Sequence, residues 1–281
     1  MDREPLAMSD HFDAFNEFER AMWERQAAGY AMGFEALTSL TIEPLLDATN
    51  THAETAILDV GTGPGFVAAA AAARGAIVTG VDVADAMVEI AQQRVPAALI
   101  RNGSAEDLPF PDGSFDAVVG NFVLLHLGHP DRGVREARRV LRGGGRCAFT
   151  VWEPAAMNRA IGVFHDAVGS AGVAPTDDIP TGPPMFALGD HDAFAALLRE
   201  GGFESITVET CTGALRIPPG DWWEATLRST PRTGTLIARQ PPEVQADLRR
   251  RYDELVAPYA DGADVVLPVA AVLASAVAPS S

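Results

Sequence analysis

Between residues 56 and 152, two kinds of hydrophobic pattern alternate along the chain. Short runs rich in apolar and β-branched residues read as strands: Ala56–Val60, Ile77–Val81, Ala97–Ile100, Phe115–Gly120 and Arg146–Trp152. Between them lie stretches of helical spacing or high helix propensity, at Phe66–Ala73, Ala84–Arg94 and Arg135–Leu141. Gly75, Pro96 and the run Gly143–Gly145 mark their ends, Gly75 as the left-handed residue expected after a helix. Strands alternating with helices in units of about 20–30 residues specify a parallel sheet covered on both faces.

The flanking segments are patterned differently. Residues 9–50 read as two or three helices bearing Phe12, Phe15, Phe18, Trp23 and Tyr30. Helical stretches follow at Arg159–Ser170 and Asp190–Arg199, separated by the Pro- and Gly-rich loop Pro175–Pro184, a mobile edge by composition. Glu204–Thr210 reads as a strand, residues 221–260 as helical, and Asp264–Ala278 as a closing strand that returns to the sheet.

Composition narrows the partners. Acidic residues outnumber basic ones 38 to 21 in the 281-residue chain, for a formal net charge of −17, and every basic residue is arginine. Such a surface is unsuited to a phosphate backbone or an anionic membrane, which need clustered cations. Without lysine there is no Schiff base, no P-loop lysine and no lysine general base. Cys147 and Cys211 are too few for a disulfide framework or a cysteine zinc site, and no His/Asp/Glu cluster has metal-ligand spacing. The opening residues lack a basic segment followed by an apolar core, and no apolar run reaches the ~20 residues that span a bilayer. The expectation is a cytoplasmic monomer or homodimer with no nucleic-acid, membrane or metal partner.

The segment Ile57-Leu58-Asp59-Val60-Gly61-Thr62-Gly63-Pro64-Gly65 carries the chemistry. A buried strand delivers the chain to a turn whose glycines let the backbone pass close to a ligand. The turn opens a helix whose free N–H groups attract an anionic group. Asp82, at the end of the second strand, can accept hydrogen bonds from the vicinal hydroxyls of a ribose. Such a turn alone also occurs in ordinary strand–helix connections; joined to Asp59 and Asp82 it points to a nucleoside cofactor. Spacing selects among these cofactors. A dinucleotide site needs G-x-G-x-x-G, whereas here the glycines run Gly61-x-Gly63-x-Gly65, and Pro64 removes a donor from the turn. Asp59 would repel a pyrophosphate but suits an ammonium and a carboxylate, the charges of the methionine end of S-adenosylmethionine (SAM).

Residues 56–152 resemble the core of the class I SAM-dependent methyltransferases, of the kind that includes the ubiquinone and menaquinone C-methyltransferases. The resemblance rests on four motifs in order: LDVGTGPG, GVDVADAMVEIAQQR, NGSAEDLPFPDGSFD and NFVLLHLGHPDRGVREARRVLRGGGR. WERQAAGY (Trp23–Tyr30) resembles the lid helix of the small-molecule members. The resemblance implies an α/β, Rossmann-like fold with a seven-stranded, mostly parallel sheet and helices on both faces. It implies an N-terminal helical lid over residues 1–50 and a SAM-binding domain over 51–281, with lid insertions at about 153–190 and 213–262. It further implies that Asp59, Gly61, Thr62, Gly63 and Gly65 hold the methionine moiety and that Asp82 holds the ribose. Val83 and Met87 would line the adenine, Ala105 and Glu106 would sit beside its edge, and the backbone of Asn121 would face the methyl group. Many relatives carry an Asp just before that Ala; here Ser104 stands there, which leaves Ser104 or Asp107 for the adenine amino group.

Methyl transfer from a sulfonium depends mainly on alignment, and a general base is needed only for a poorly ionised nucleophile. His126, five positions beyond Asn121, and His165, in the lid segment, are the candidate bases, each also readable as a structural residue. His11, His52, His129 and His191 read as surface residues. The aromatics Phe12, Phe15, Trp23, Tyr30, Trp222 and Trp223 read either as helix packing or as an apolar roof over SAM and a planar acceptor, with Tyr30 touching the methionine end. The expected activity is methyl transfer from SAM to a small, apolar or aromatic specialised metabolite, with release of S-adenosylhomocysteine (SAH). A SAM-fold enzyme performing another reaction, such as a cyclisation, would look the same in sequence. A nicotinamide oxidoreductase is disfavoured by the glycine spacing.

Overall fold

The computed structural model describes residues 8–174 and 179–280. Residues 175–178, the first part of the Pro- and Gly-rich loop, and the side chain of His11 lie outside the described residues. Three helices open the chain: α1 (Met8–Gly33), α2 (Glu35–Thr38) and α3 (Ile42–Ala48). The alternating region gives β1 (Ala56–Val60), α4 (Phe66–Ala73), β2 (Ile77–Asp82), α5 (Asp85–Arg94), β3 (Leu99–Asn102), β4 (Phe115–Asn121), α6 (Pro130–Val140) and β5 (Leu141–Trp152). Then come α7 (Arg159–Ser170), α8 (His191–Glu200), β6 (Glu204–Ile217), α9 (Pro219–Ser229), α10 (Thr233–Ala238), α11 (Pro242–Val256), β7 (Ala260–Asp261) and β8 (Asp264–Val277).

The sheet runs β3-β2-β1-β4-β5-β8-β6, parallel as far as β5 and antiparallel on both sides of β8. The expected count of seven describes this path; the two-residue β7 pairs with β8 off it and brings the described total to eight. β1 is buried from Ile57 to Val60, as its near-continuous apolar run requires of a central parallel strand. The alanines of α4 favour helix strongly, and the helix stops at Arg74 and Gly75, the latter with φ +81°. α6 starts on Pro130 and Asp131 and ends on Arg138 and Arg139, charges that complement the helix dipole.

Side chains alternate across the sheet. On one face Ile57, Val78, Ala117 and Val119 pack against Val67, Ala68 and Ala71 of α4 and Val88 and Ala91 of α5. On the other, Leu58, Val60, Val118, Phe149 and Val151 meet Val134 and Ala137 of α6. The same core extends to Phe164, Trp222, Trp223 and Tyr252, rings that bind α7, α9 and α11 together. Trp222 is fully buried, and its indole N–H donates to the Ala160 carbonyl at 2.8 Å. α1 packs on α9 and α5.

Some boundaries differ from the sequence reading. β5 begins at Leu141 and runs through the glycines instead of starting after them. Phe115 pairs with Leu141 but Ala117 with Arg146, so Gly143–Gly145 form a bulge, and the Gly144 amide donates to the Ala278 carbonyl at 2.9 Å. β6 runs to Ile217, well past Thr210, because β8 pairs with it along that length.

Leu58 is fully buried at the centre of the sheet. Leu58→Ala is expected to lower the unfolding free energy by roughly 2–5 kcal/mol in urea titration. A loss under about 1 kcal/mol would place Leu58 outside a close-packed core.

Candidate active site

At the end of β1 the chain turns through Gly61 and Gly63, both left-handed, with φ +66° and +52°. A Cβ on Gly61 would lie 2.5 Å from Val123 Cγ2, so this backbone approaches the segment after β4 more closely than a side chain allows. A Cβ on Gly63 would meet only the Gly61 oxygen, at 4.0 Å, and would occupy open space where a ligand can lie. The Gly63 amide donates to Asp82 Oδ2 at 2.8 Å and the Ala84 amide to Oδ1 at 3.0 Å. One carboxylate thus ties the turn to the start of α5, and each of its oxygens keeps a further lone pair. Burial raises the Asp82 pKa, opposed by these amides. Asp59 lies beneath the turn, where its Oδ2 accepts from the Thr62 hydroxyl at 2.7 Å. Burial pushes its carboxyl up to about 7, against the hydrogen bonds from Thr62 and the Ala68 amide, and nearby Asp82 adds to the rise.

A cleft opens on this turn. Gly61, Gly63, Asp82, Val83 and Met87 form one side and Ser104, Ala105 and Glu106 another, while α1 roofs it with Asn16, Glu19, Trp23 and Tyr30. The roof is latched to the core. Asn16 Nδ2 donates to Glu106 Oε1 at 2.9 Å, and the Gly128 amide donates to Asn16 Oδ1 at 2.6 Å. The His129 amide donates to the same Glu106 oxygen at 2.8 Å.

Asn121 and Phe122 close the cleft at the end of β4. Three hydrogen bonds hold the Asn121 side chain. Its Oδ1 accepts from the Thr41 and Thr150 hydroxyls at 2.7 and 2.6 Å, and its Nδ2 donates to the Thr38 carbonyl at 3.1 Å. Phe122 has φ +60°, a conformation that costs a bulky residue ~1–3 kcal/mol. Its amide donates to Thr150 Oγ1 at 3.0 Å, and its ring stacks on Trp152 with centroids 3.7 Å apart.

A second cavity adjoins the cleft and shares Trp23, Tyr30, Phe122 and His126 with it. Phe34, Leu125, Trp152, Ile161 and Phe164 make most of its wall apolar. Burial pushes the Tyr30 phenol up to about 12, so it stays protonated. His126 belongs to the short 3-10 turn Leu124–His126, and its Nδ1 lies 3.0 Å from Glu19 Oε2. The other Glu19 oxygen lies 3.2 Å from Arg232 Nε.

A family profile described as "Methyltransferase domain" matches residues 58–149. A demethylmenaquinone methyltransferase of Clavibacter sepedonicus is 31% identical over 170 residues, 57% of this chain and 69% of that protein. A 27-O-demethylrifamycin SV methyltransferase of Amycolatopsis mediterranei is 32% identical over 222 residues, 73% of this chain and 76% of that protein. The chain belongs to the class I SAM-dependent methyltransferases. The fold agrees: the YcgJ protein of Bacillus subtilis superposes with a TM-score of 0.57 at 19% identity, over 86% of this chain and 99% of that one.

In this methyltransferase, Tyr30, Gly61, Gly63, Asp82, Val83, Met87, Ser104, Ala105, Glu106 and Asn121 all line the cleft. Asp59, Thr62 and Gly65 stand behind it: the first two bond to each other, and Gly65 packs beneath α5 against Ala91. They shape the turn and leave the cleft wall to the Gly61 and Gly63 backbone. Ser104 lines the cleft and Asp107 does not. His126 stands on the wall common to both cavities, but His165 lies outside the site with its side chain 64% exposed. α7 buries Ile161 and Phe164, which turns His165 outward toward Asp166. His129, by contrast, is not the surface residue expected: its side chain is 13% exposed, with Phe12 edge-on at 5.4 Å.

Sequence reasoning missed Asn16, Glu19, Phe122 and Arg232. The first two had a signal, since Asn16, Glu19, Trp23 and Tyr30 fall on one helical face. The residues present fit SAM: open space above Gly63, a buried carboxylate with unused lone pairs at Asp82, and an aromatic wall alongside.

Asp59 supplies a pH test. Its folded pKa, about 7, exceeds the ordinary carboxylate value near 4, so between these limits the folded state holds a proton that the unfolded chain releases. Its favourable contribution is present at low pH and is lost as the pH rises through about 7. The wild-type Tm, measured against Asp59→Asn by scanning calorimetry, is expected to fall from about pH 5 to about pH 8. A difference that does not vary with pH would mean that Asp59 titrates like an exposed carboxylate.

Proposed function

We propose that this enzyme transfers the methyl group of SAM to a small, apolar or aromatic molecule held in the second cavity. The shared wall carries this reading: the cleft and the aromatic cavity meet at Trp23, Tyr30, Phe122 and His126, so two small molecules can be held with their reacting ends together. When bound, SAM supplies a methyl group on a sulfonium, which a nucleophile takes by in-line displacement. Asp82 would accept from the ribose hydroxyls, and the backbone at Gly61, Gly63 and Asn121 would meet the methionine end. Val83, Met87, Ser104, Ala105 and Glu106 would enclose the adenine. Phe34, Trp152, Ile161 and Phe164 suit a flat apolar acceptor and exclude water from the transfer. His126 would act as general base toward an acceptor that has a proton to lose.

Two relatives are named for small-molecule acceptors, demethylmenaquinone and 27-O-demethylrifamycin SV, which supports a small-molecule acceptor here. The net charge of −17 and the absence of lysine weigh against a nucleic-acid acceptor. No described helix is long and apolar enough to cross a membrane.

Calorimetric titration with SAM, SAH and NAD tests the cofactor. Binding of SAM and SAH without NAD is expected, and binding of NAD alone would overturn the reading. Asp82→Ala is expected to weaken SAM binding by ~1.5–3 kcal/mol, the worth of hydrogen bonds to a charged group. Unchanged affinity would remove Asp82 as the ribose anchor. With an acceptor in hand, a product heavier by one CH₂ with SAH released supports methylation, and an isomeric product without SAH supports a cyclisation.

A further inference from the structure

Glu19 of α1 is 2% exposed, a rare place for a carboxylate unless it is paired. Its two oxygens face different partners, His126 Nδ1 at 3.0 Å and Arg232 Nε at 3.2 Å. Arg232 is otherwise held by the protein, donating to the carbonyls of Pro183 at 2.9 Å and Leu125 at 2.5 Å. A carboxylate accepts and does not donate, so a neutral His126 carries its proton on Nδ1 and its lone pair on Nε2. Nε2 makes no hydrogen bond to a described residue and is not sealed off, and the ring stands on the wall that both cavities share. Trp23, edge-on at 4.9 Å, braces the imidazole from the side.

We propose that Glu19 is a positioning residue that holds His126 in its base-competent tautomer, and that the acceptor therefore presents a phenolic or enolic hydroxyl at Nε2. This rests on the methyl-transfer reading. A carboxylate fixing the far nitrogen of an imidazole is a general way to orient a histidine base. The charges balance. The acceptor O–H bond breaks and leaves its electron pair on oxygen, that pair forms the new O–CH₃ bond, and the proton goes to Nε2. The pair of the broken C–S bond returns to sulfur, so one positive charge passes from the sulfonium to the imidazolium and leaves with the proton to solvent. Glu19 and Arg232 cancel before the transfer, so the new imidazolium charge arises against a carboxylate that is already in place. Since Glu19 belongs to the lid helix and His126 to the core, the base is complete only while α1 is docked.

Nitrogen-15 NMR of histidine-labelled full-length protein with SAH bound tests this, read on the neutral form of the ring. His126, assigned by the loss of its signals in His126→Asn, is expected to carry its proton on Nδ1. A proton mainly on Nε2 would overturn the proposal. Glu19→Gln combined with Arg232→Gln leaves no unpaired charge, and because Gln can accept or donate, the Nδ1 preference is expected to disappear. An unchanged tautomer in this variant, folded by circular dichroism, would also overturn it; if the variant does not fold, the wild-type spectrum decides. 1-Naphthol added to the SAH complex is expected to shift the Nε2 signal, and 1-methoxynaphthalene is not. Equal shifts, or none from the naphthol, would remove the hydroxyl assignment. Failure of SAH to bind would instead refute the methyl-transfer reading, so the two failures are told apart.

Discussion

Parallel strands can be joined only by crossing a face of the sheet, and between β1 and β4 these crossings divide. The helices packed by the β1–β2–β3 units, α4 and α5, lie on one face, and α6 lies on the other. The carboxyl ends of β1 and β4 therefore border a crevice that no connection fills. The site is assembled there from three strand ends: Gly61 and Gly63 beyond β1, Asp82 closing β2, and Asn121 and Phe122 at and after the end of β4. The bond from the Gly63 amide to Asp82 joins two of these ends, and the close approach of Gly61 to Val123 joins the third.

The chemistry around this crevice has a single electrostatic theme. Asp82 is buried at the cleft, Asp59 lies just beneath it, and Glu19 hangs over it from the roof. Backbone amides compensate Asp82, the Thr62 hydroxyl supports Asp59, and Arg232 and His126 face Glu19.

The central fold was legible because its determinants are local. The β1–turn–α4 segment and the acid ending β2 lie within a few residues of the features that define them, and spacing alone carries that information. Long-range pairing was not legible. The bulge at Gly143–Gly145 exists because β5 must stay in register with β4, and the length of β6 is set by β8, some fifty residues later in the chain. His165 could be placed only once the buried face of α7 was known. The φ of Phe122 leaves no trace in composition, and the Glu19–His126 contact joins residues 107 positions apart.

β8 sits between β5 and β6, and among the described residues β6 pairs with no other strand. While the chain is being synthesised, β5 can join β4 early, but its outer edge stays open until the residues up to Val277 have emerged. β6 waits as well, a fourteen-residue strand made well before β8, with which it pairs. An open edge beside an unpaired long strand is a hazard for mispairing between chains, and the charges of Glu204, Glu209 and Arg216 along β6 oppose such pairing during that interval. Among the described strands, β8 is thus the one that locks the sheet, by joining β5 to β6.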